Sequence, residues 1–153
     1  MQLSFAKFMA FSYKRSMLES AAANYEYREV TDNVEITVTP SYILERSAPE
    51  NDYYFFAYNV TIRNLGDEPL KLINRHWNIR DGQKRERYVN GEGVVGQRPL
   101  IEAEGEFNYQ SFCPLSTPTG NMRGKFEFED PTGHRFWIPI PLFFFRTPDS
   151  FLQ

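Results

Sequence analysis

YYFFAYNVTIRN, residues 53–64, decides the fold class. With a period of two, Tyr54, Phe56, Tyr58, Val60 and Ile62 fall on one face, and the other face ends polar at Asn59, Thr61 and Arg63. Side chains alternate across a pleated strand, so this pattern is a strand with one side in a core. VEITVT at 34–39 repeats it, with Val34, Ile36 and Val38 opposite Glu35, Thr37 and Thr39. Similar segments recur at 70–80, about 84–90, 105–112, 121–128 and 135–143, separated by the turn-rich pieces NLGDEP, DGQ, NGEG, STPTGN and DPTG. Seven strands with no helical pattern between them predict an all-β, antiparallel β-sandwich.

Outward from this block the pattern changes. Residues 3–27 contain no Pro or Gly and place Phe8, Phe11, Arg15 and Leu18 at helical intervals, which predicts an N-terminal helical extension. Its first 18 residues hold three basic side chains and no acid, a composition shared with organelle transit peptides, and translation starting at Met17 is a third reading. The expected organisation is a helical extension over 1–32, a sandwich domain over 33–148 and a tail over 149–153. In FWIPIPLF, Pro139 and Pro141 lie two residues apart, so their missing N–H groups blunt one side and predict an edge strand. LFFFR at 142–146 leaves at least one Phe on the outer face, which beside the extension suggests a docking surface.

Composition narrows the function classes. At 153 residues, 41% hydrophobic and 24% charged, the chain suits one globular domain, and 16% aromatic content favours sheet. A net charge of −3 argues against duplex nucleic acid as a partner of the whole surface. Cys113 is the single cysteine, which removes an internal disulfide and a Cys-rich zinc site and fits a reducing compartment. No stretch approaches the roughly 18 apolar residues needed to cross a bilayer, and no secretory apolar region opens the chain. A cytoplasmic protein without a membrane partner is expected.

GEGVVG at 91–96 spells G-x-G-x-x-G, which marks a dinucleotide site only when a buried strand precedes it and a helix follows. Here it reads as a long loop, Asn90 to Gly96, with glycines supplying positive φ. Such a loop can still cradle an anion in a nest of N–H groups. Between Asn74 and Arg98, six cations (Arg75, Arg80, Lys84, Arg85, Arg87, Arg98) face three acids (Asp81, Glu86, Glu92), a local excess of three. The hexapeptide is therefore either a structural loop or a phosphate site at Gly91, Gly93 and Gly96 with Arg75 and Arg98 as charge partners. The test is whether the arginines converge on the loop or pair with those acids.

No chemistry is expected elsewhere. His76 falls on the strand face opposite Arg75 and Trp77, and reads as structural, hydrogen-bonded at the core edge. With His134 and Cys113 as the other nitrogen and sulfur ligands, a zinc set cannot be assembled, and no segment clusters carboxylates for a hard cation. Cys113 precedes Pro114 with no helix N-terminus to activate it, and STPTG at 116–120 is turn chemistry. Trp77 and Trp137 read as core residues. No catalytic residue, metal ligand or cofactor is expected.

INRHWNIRD at 73–81, GEGVVGQRPLI at 91–101, FNYQSFCPLSTPTGNMRGKF at 107–126 and FWIPIPLF at 136–143 together resemble the ApaG family, the DUF525 domain. The motifs occur in order and nearly without gaps from about Val34 to Pro148. The resemblance implies an immunoglobulin- or fibronectin type III-like sandwich and a non-enzymatic binding module. It also implies an association with divalent cation homeostasis (cobalt tolerance, magnesium efflux), and suggests pyrophosphate or nucleotide binding at the Gly-rich motif. In eukaryotes, the same domain serves as a recognition module in an F-box protein and in a polymerase-interacting protein. The extension over 1–32 departs from bacterial members. Two functions stand: recognition of a protein partner by sandwich loops or an outer sheet face, and binding of pyrophosphate or a nucleotide phosphate at 91–96. Self-association into a homodimer through edge strands or the extension is a further expectation.

Overall fold

The period-two segments form two antiparallel sheets in the computed structural model, which describes residues 25–148. The strands are β1 (Tyr27–Thr31), β2 (Val34–Tyr42), β3 (Tyr54–Asn64), β4 (Leu70–Asp81), β5 (Glu86–Glu92), β6 (Leu100–Ile101), β7 (Glu106–Leu115), β8 (Thr119–Glu129) and β9 (Arg135–Arg146). One sheet has the order β1-β2-β3-β7, and the other β5-β4-β8-β9 with β6 also pairing to β4. The chain crosses between sheets after β3, β6 and β7, the connectivity of a fibronectin type III-like sandwich.

All seven expected strands are present, and two were not expected. The two-residue β6 is too short for alternation to show. The β1 strand corrects the organisation: Tyr27–Thr31 belong to the sheet, so the sandwich begins before residue 33. The cause is the turn Asp32-Asn33, both at positive φ (47° and 63°), which closes a two-residue hairpin pairing Thr31 with Val34. Asp and Asn tolerate this conformation, so the pair is a turn signal inside what otherwise reads as the end of a helix. Glu35, buried on the outer face of this sheet, ties β1 down by accepting from Arg28 and from Arg63 Nη1 at 3.4 Å. The expected helix lies outside the described residues apart from this overlap.

The inner faces close on an aromatic core, which accounts for the composition. Phe56, Phe126, Phe128, Phe143 and Phe145 are fully buried, and Trp77 meets Phe126 and Phe143 edge-on at 5.9 Å each. Gly124, opposite Trp77 on β8, makes room for that ring: a Cβ there would stand 3.0 Å from Trp77 Cε3 and 2.1 Å from the His76 carbonyl oxygen.

Two bulges set what reaches the outside. In β4 the register slips between Leu72 and Asn74, and the strand then keeps Arg75, Trp77 and Ile79 inward with His76 and Asn78 outward. In β9 two residues, Pro141 and Leu142, stand opposite Arg123 alone. The extra residue resets the alternation, so Ile138, Ile140, Phe143 and Phe145 point inward while Trp137, Pro139, Leu142 and Phe144 point outward. As the prolines predict, β9 is an edge strand, bonded to β8 alone.

Candidate functional site

The Gly-rich hexapeptide is not one loop. Gly91 and Glu92 belong to β5, paired with Arg75 and Asn74, and the connection tightens into a two-residue turn in which Val94 and Gln97 exchange backbone hydrogen bonds at 2.8 and 2.9 Å. Val95 (φ 45°) and Gly96 (φ 77°) are its centre. Gly93 has φ 58° and sits where a Cβ would come within 2.0 Å of the Gln97 carbonyl oxygen. The Gly93 N–H donates to Ile73 O at 2.8 Å.

The arginines converge on this segment, but they serve its backbone. Arg75 points inward under Gly91, whose missing Cβ leaves room for the guanidinium, and Nη1 donates to the carbonyls of Glu92 and Gly93 at 3.0 and 2.8 Å. Arg98 Nε donates to Ile73 O at 3.3 Å, and its Nη2 lies 3.3 Å from Glu92 Oε1. The other three arginines of the cluster are also engaged. Arg80 pairs with Glu86, Arg85 Nε with Asp81 Oδ2 at 2.7 Å, and Arg87 Nη2 donates to Pro114 O at 3.3 Å. The acids counted against these cations in the sequence are partners of Arg80, Arg85 and Arg98 in the fold, while the guanidinium donors of Arg75 and Arg87 are turned to backbone carbonyls.

A concave surface lies elsewhere, on the outer face of β5-β4-β8-β9. Strand registers lay its side chains out in rows across the sheet. Asn90, His76, Lys125 and Pro139 form one row; Tyr88, Asn78, Arg123 and the bulged Leu142 form the next. Glu92, Asn74, Glu127 and Trp137 flank them on one side, with Asn74 Nδ2 donating to Glu127 Oε1 at 2.9 Å. The resulting shallow groove, of about 740 Å³, is lined mainly by Tyr88, Trp137, Pro139, Leu142, His76 and Lys125. Tyr88 is 67% exposed and Leu142 44%, so apolar surface is offered to solvent.

Trp137 organises this groove, which corrects the reading of it as core: it is half-buried on the outer face, because alternation in β9 puts it opposite Phe136 and Ile138. Its ring centroid lies 4.5 Å from that of His76, and Lys125 Nζ lies 4.7 Å from the Trp137 centroid. His76 thus packs on the outer face and not at the core edge. Asn78, in the groove floor, leaves Oδ1 buried with no donor. Sequence reading took His76 as structural and Trp137 as core and did not join them into one surface, although the alternation of FWIPIPLF already separates Trp137 and Pro139 from Phe136, Ile138 and Ile140.

The remaining candidates stand apart. His134 stacks on Phe136 at 5.9 Å in a turn whose Asp130 Oδ1 accepts from Thr132 N, Thr132 Oγ1 and His134 N. Those hydrogen bonds, led by the Thr132 hydroxyl, hold the Asp130 carboxyl below its usual range. Cys113 is buried, and desolvation raises its thiol pKa, the opposite of an activated nucleophile. Among the described residues, no three His, Cys, Asp or Glu side chains come together to hold a metal ion, and no helix is long and apolar enough to cross a membrane.

A family model described as the ApaG domain (DUF525) matches residues 44–130. Protein ApaG of Rhodopseudomonas palustris (strain TIE-1) is 44% identical over 124 residues, 81% of this chain and 95% of that protein. Protein ApaG of Xanthobacter autotrophicus is 43% identical over 123 residues, covering 80% and 95%. A crystal structure of the putative ApaA protein from Bordetella pertussis superposes with a TM-score of 0.74 at 41% identity, over 80% of this chain and 97% of that one.

Proposed function

The chain belongs to the ApaG domain family, and on that premise we propose that it is a non-enzymatic binding module which recognises a protein partner through the outer face of β5-β4-β8-β9. The groove around Trp137 carries this reading. It offers aromatic and aliphatic surface at its centre with polar groups around it, the layout of a protein interface. The middle of the opposite sheet's outer face is different in kind: Asn59 and Arg63 are exposed there, and Thr61 Oγ1 donates to Asn108 Oδ1 at 2.6 Å, while Phe112 is exposed further along, packed on Phe55.

Pyrophosphate or nucleotide at Gly91, Gly93 and Gly96 is the weaker reading, because Arg75 and Arg98 would have to leave the carbonyls and the carboxylate that they hold. The association with cobalt and magnesium that family resemblance implies is on this reading indirect, exerted through the partner, and the module works in the cytoplasm.

Immobilised wild-type protein is to be compared with a Trp137→Ala, Leu142→Ser double variant and an Asn59→Arg, Thr61→Arg control on the opposite sheet, each exposed to an extract of its host cell. A protein retained by wild type and control and lost from the groove variant is the expected result. Retention by all three alike would overturn the groove as the binding face.

A further inference from the structure

The groove reverses the charge of the molecule around it. The chain carries a net charge of −3, yet the residues that line the groove include Lys125 and Arg123 and no Asp or Glu. Lys125 rests on the Trp137 ring and has no carboxylate within 4.0 Å among the described residues; a ring face holds an ammonium without neutralising it. Arg123 Nη2 reaches Glu86 Oε1 only at 3.8 Å, and that oxygen is already engaged more closely by Arg80. Two incompletely compensated cations thus stand beside Tyr88, Pro139, Leu142 and Trp137.

Resting on the proposed binding face, we infer that the segment it takes is an acidic peptide with interspersed apolar side chains. Carboxylates of such a segment meet Lys125 and Arg123, and its apolar side chains seat against Trp137, Pro139 and Leu142. Single-stranded nucleic acid fits less well. Two cations are few for a phosphate backbone, whose binding rests on many neutralised phosphates. A second copy of the chain fits less well again, because a two-fold contact through this face would set Lys125 and Arg123 against their own copies.

The test is an amide-resolved NMR titration of the isotopically labelled full chain with defined probes. The first is a short synthetic peptide alternating Glu with Trp, Pro and Leu; the second has Lys for every Glu; the third has Ser for every apolar residue; the fourth is a uridine oligomer. Saturable shifts at His76, Tyr88, Lys125 and Leu142 with the first peptide are expected, with the second and third at least about tenfold weaker. Lys125→Glu, checked for an unchanged melting temperature, is expected to reverse the preference between the Glu and Lys peptides. Equal binding of both charges, binding of the oligomer in place of the peptides, concentration-dependent shifts at these amides without any peptide, or no shifts would each overturn the inference. If the Trp137→Ala, Leu142→Ser variant loses its retained partner while peptides of both charges bind alike, the binding face stands and the acidic partner falls. If retention is indifferent to that variant, the binding face itself fails.

Discussion

Val95 holds a backbone conformation that its own side chain opposes. At φ 45° it occupies the left-handed region, where a β-branched residue meets its carbonyl, and it does so 51% exposed, with no buried contact in compensation. Asn tolerates that region, so Val95→Asn is expected to stabilise the protein by about 1 kcal/mol, read as a higher denaturant midpoint at unchanged slope. The strain belongs to the Val94–Gln97 turn. If the hexapeptide is a turn braced by Arg75 and Arg98, as its hydrogen bonds indicate, calorimetric titration with pyrophosphate, with or without magnesium, should give no saturable heat. A saturable isotherm lost in an Arg75→Ala, Arg98→Ala variant would restore the anion reading. The spelling G-x-G-x-x-G was legible in sequence, but its use was not. Which donors a loop has left over depends on Glu92 and the carbonyls of Ile73, Glu92 and Gly93, and tertiary pairing alone brings those to the arginines.

At the level of the element, β9 shows how one extra residue decides what the molecule presents. Uninterrupted alternation from Ile138 and Ile140 would turn Phe144 inward and Phe143 outward; the bulge at Pro141 and Leu142 does the reverse. Phe143→Ala should therefore cost about 3–5 kcal/mol, the range for emptying a core aromatic site, while Phe144→Ala should cost no more than about 1 kcal/mol. Urea unfolding of the two variants side by side measures this, and equal losses would contradict the bulge. The strands themselves could be read because each buries one face, so polarity alternates with a period of two in VEITVT and in the stretch from Tyr54 to Ile62. The edge role of β9 could be read from Pro139 and Pro141 for a backbone reason that needs no neighbour. β1 could not, because its residues show no clean alternation and its hairpin rests on Asp32-Asn33, which lacks the usual glycine. Nor could the groove: Tyr88, Lys125 and Trp137 lie on three strands, and only the cross-strand register brings them to one surface.

The whole molecule has a core that shelters proton-bearing groups, and this sets its response to alkali. Burial raises the pKa of the Cys113 thiol and of the Tyr58 and Tyr109 hydroxyls, and Tyr109 Oη has no hydrogen-bond partner to support a phenolate. In the unfolded chain a thiol ionises near pH 8.5 and a tyrosine near pH 10. Above those values the native state binds more protons than the unfolded state, so stability falls as pH rises. Melting temperature should decline from about pH 8.5, more steeply from about pH 10, and a Cys113→Ser variant should lose the first part of the decline. A flat profile to pH 11 would contradict the burial of these groups.

On the same scale, the two outer sheet faces differ: one is polar and self-paired around Asn59, Thr61 and Asn108, with Phe112 exposed beside Phe55 towards one end, and the other carries the Trp137 groove by which the module is proposed to recognise its partner. Site-specific photocrosslinking in living cells tests this most directly, with a photoreactive residue placed at Leu142 in one strain and at Asn59 in another. The expected result is a discrete protein adduct from Leu142, abolished by Trp137→Ala, and none from Asn59. Adducts from Asn59 alone, or the same adducts from both positions, would contradict it.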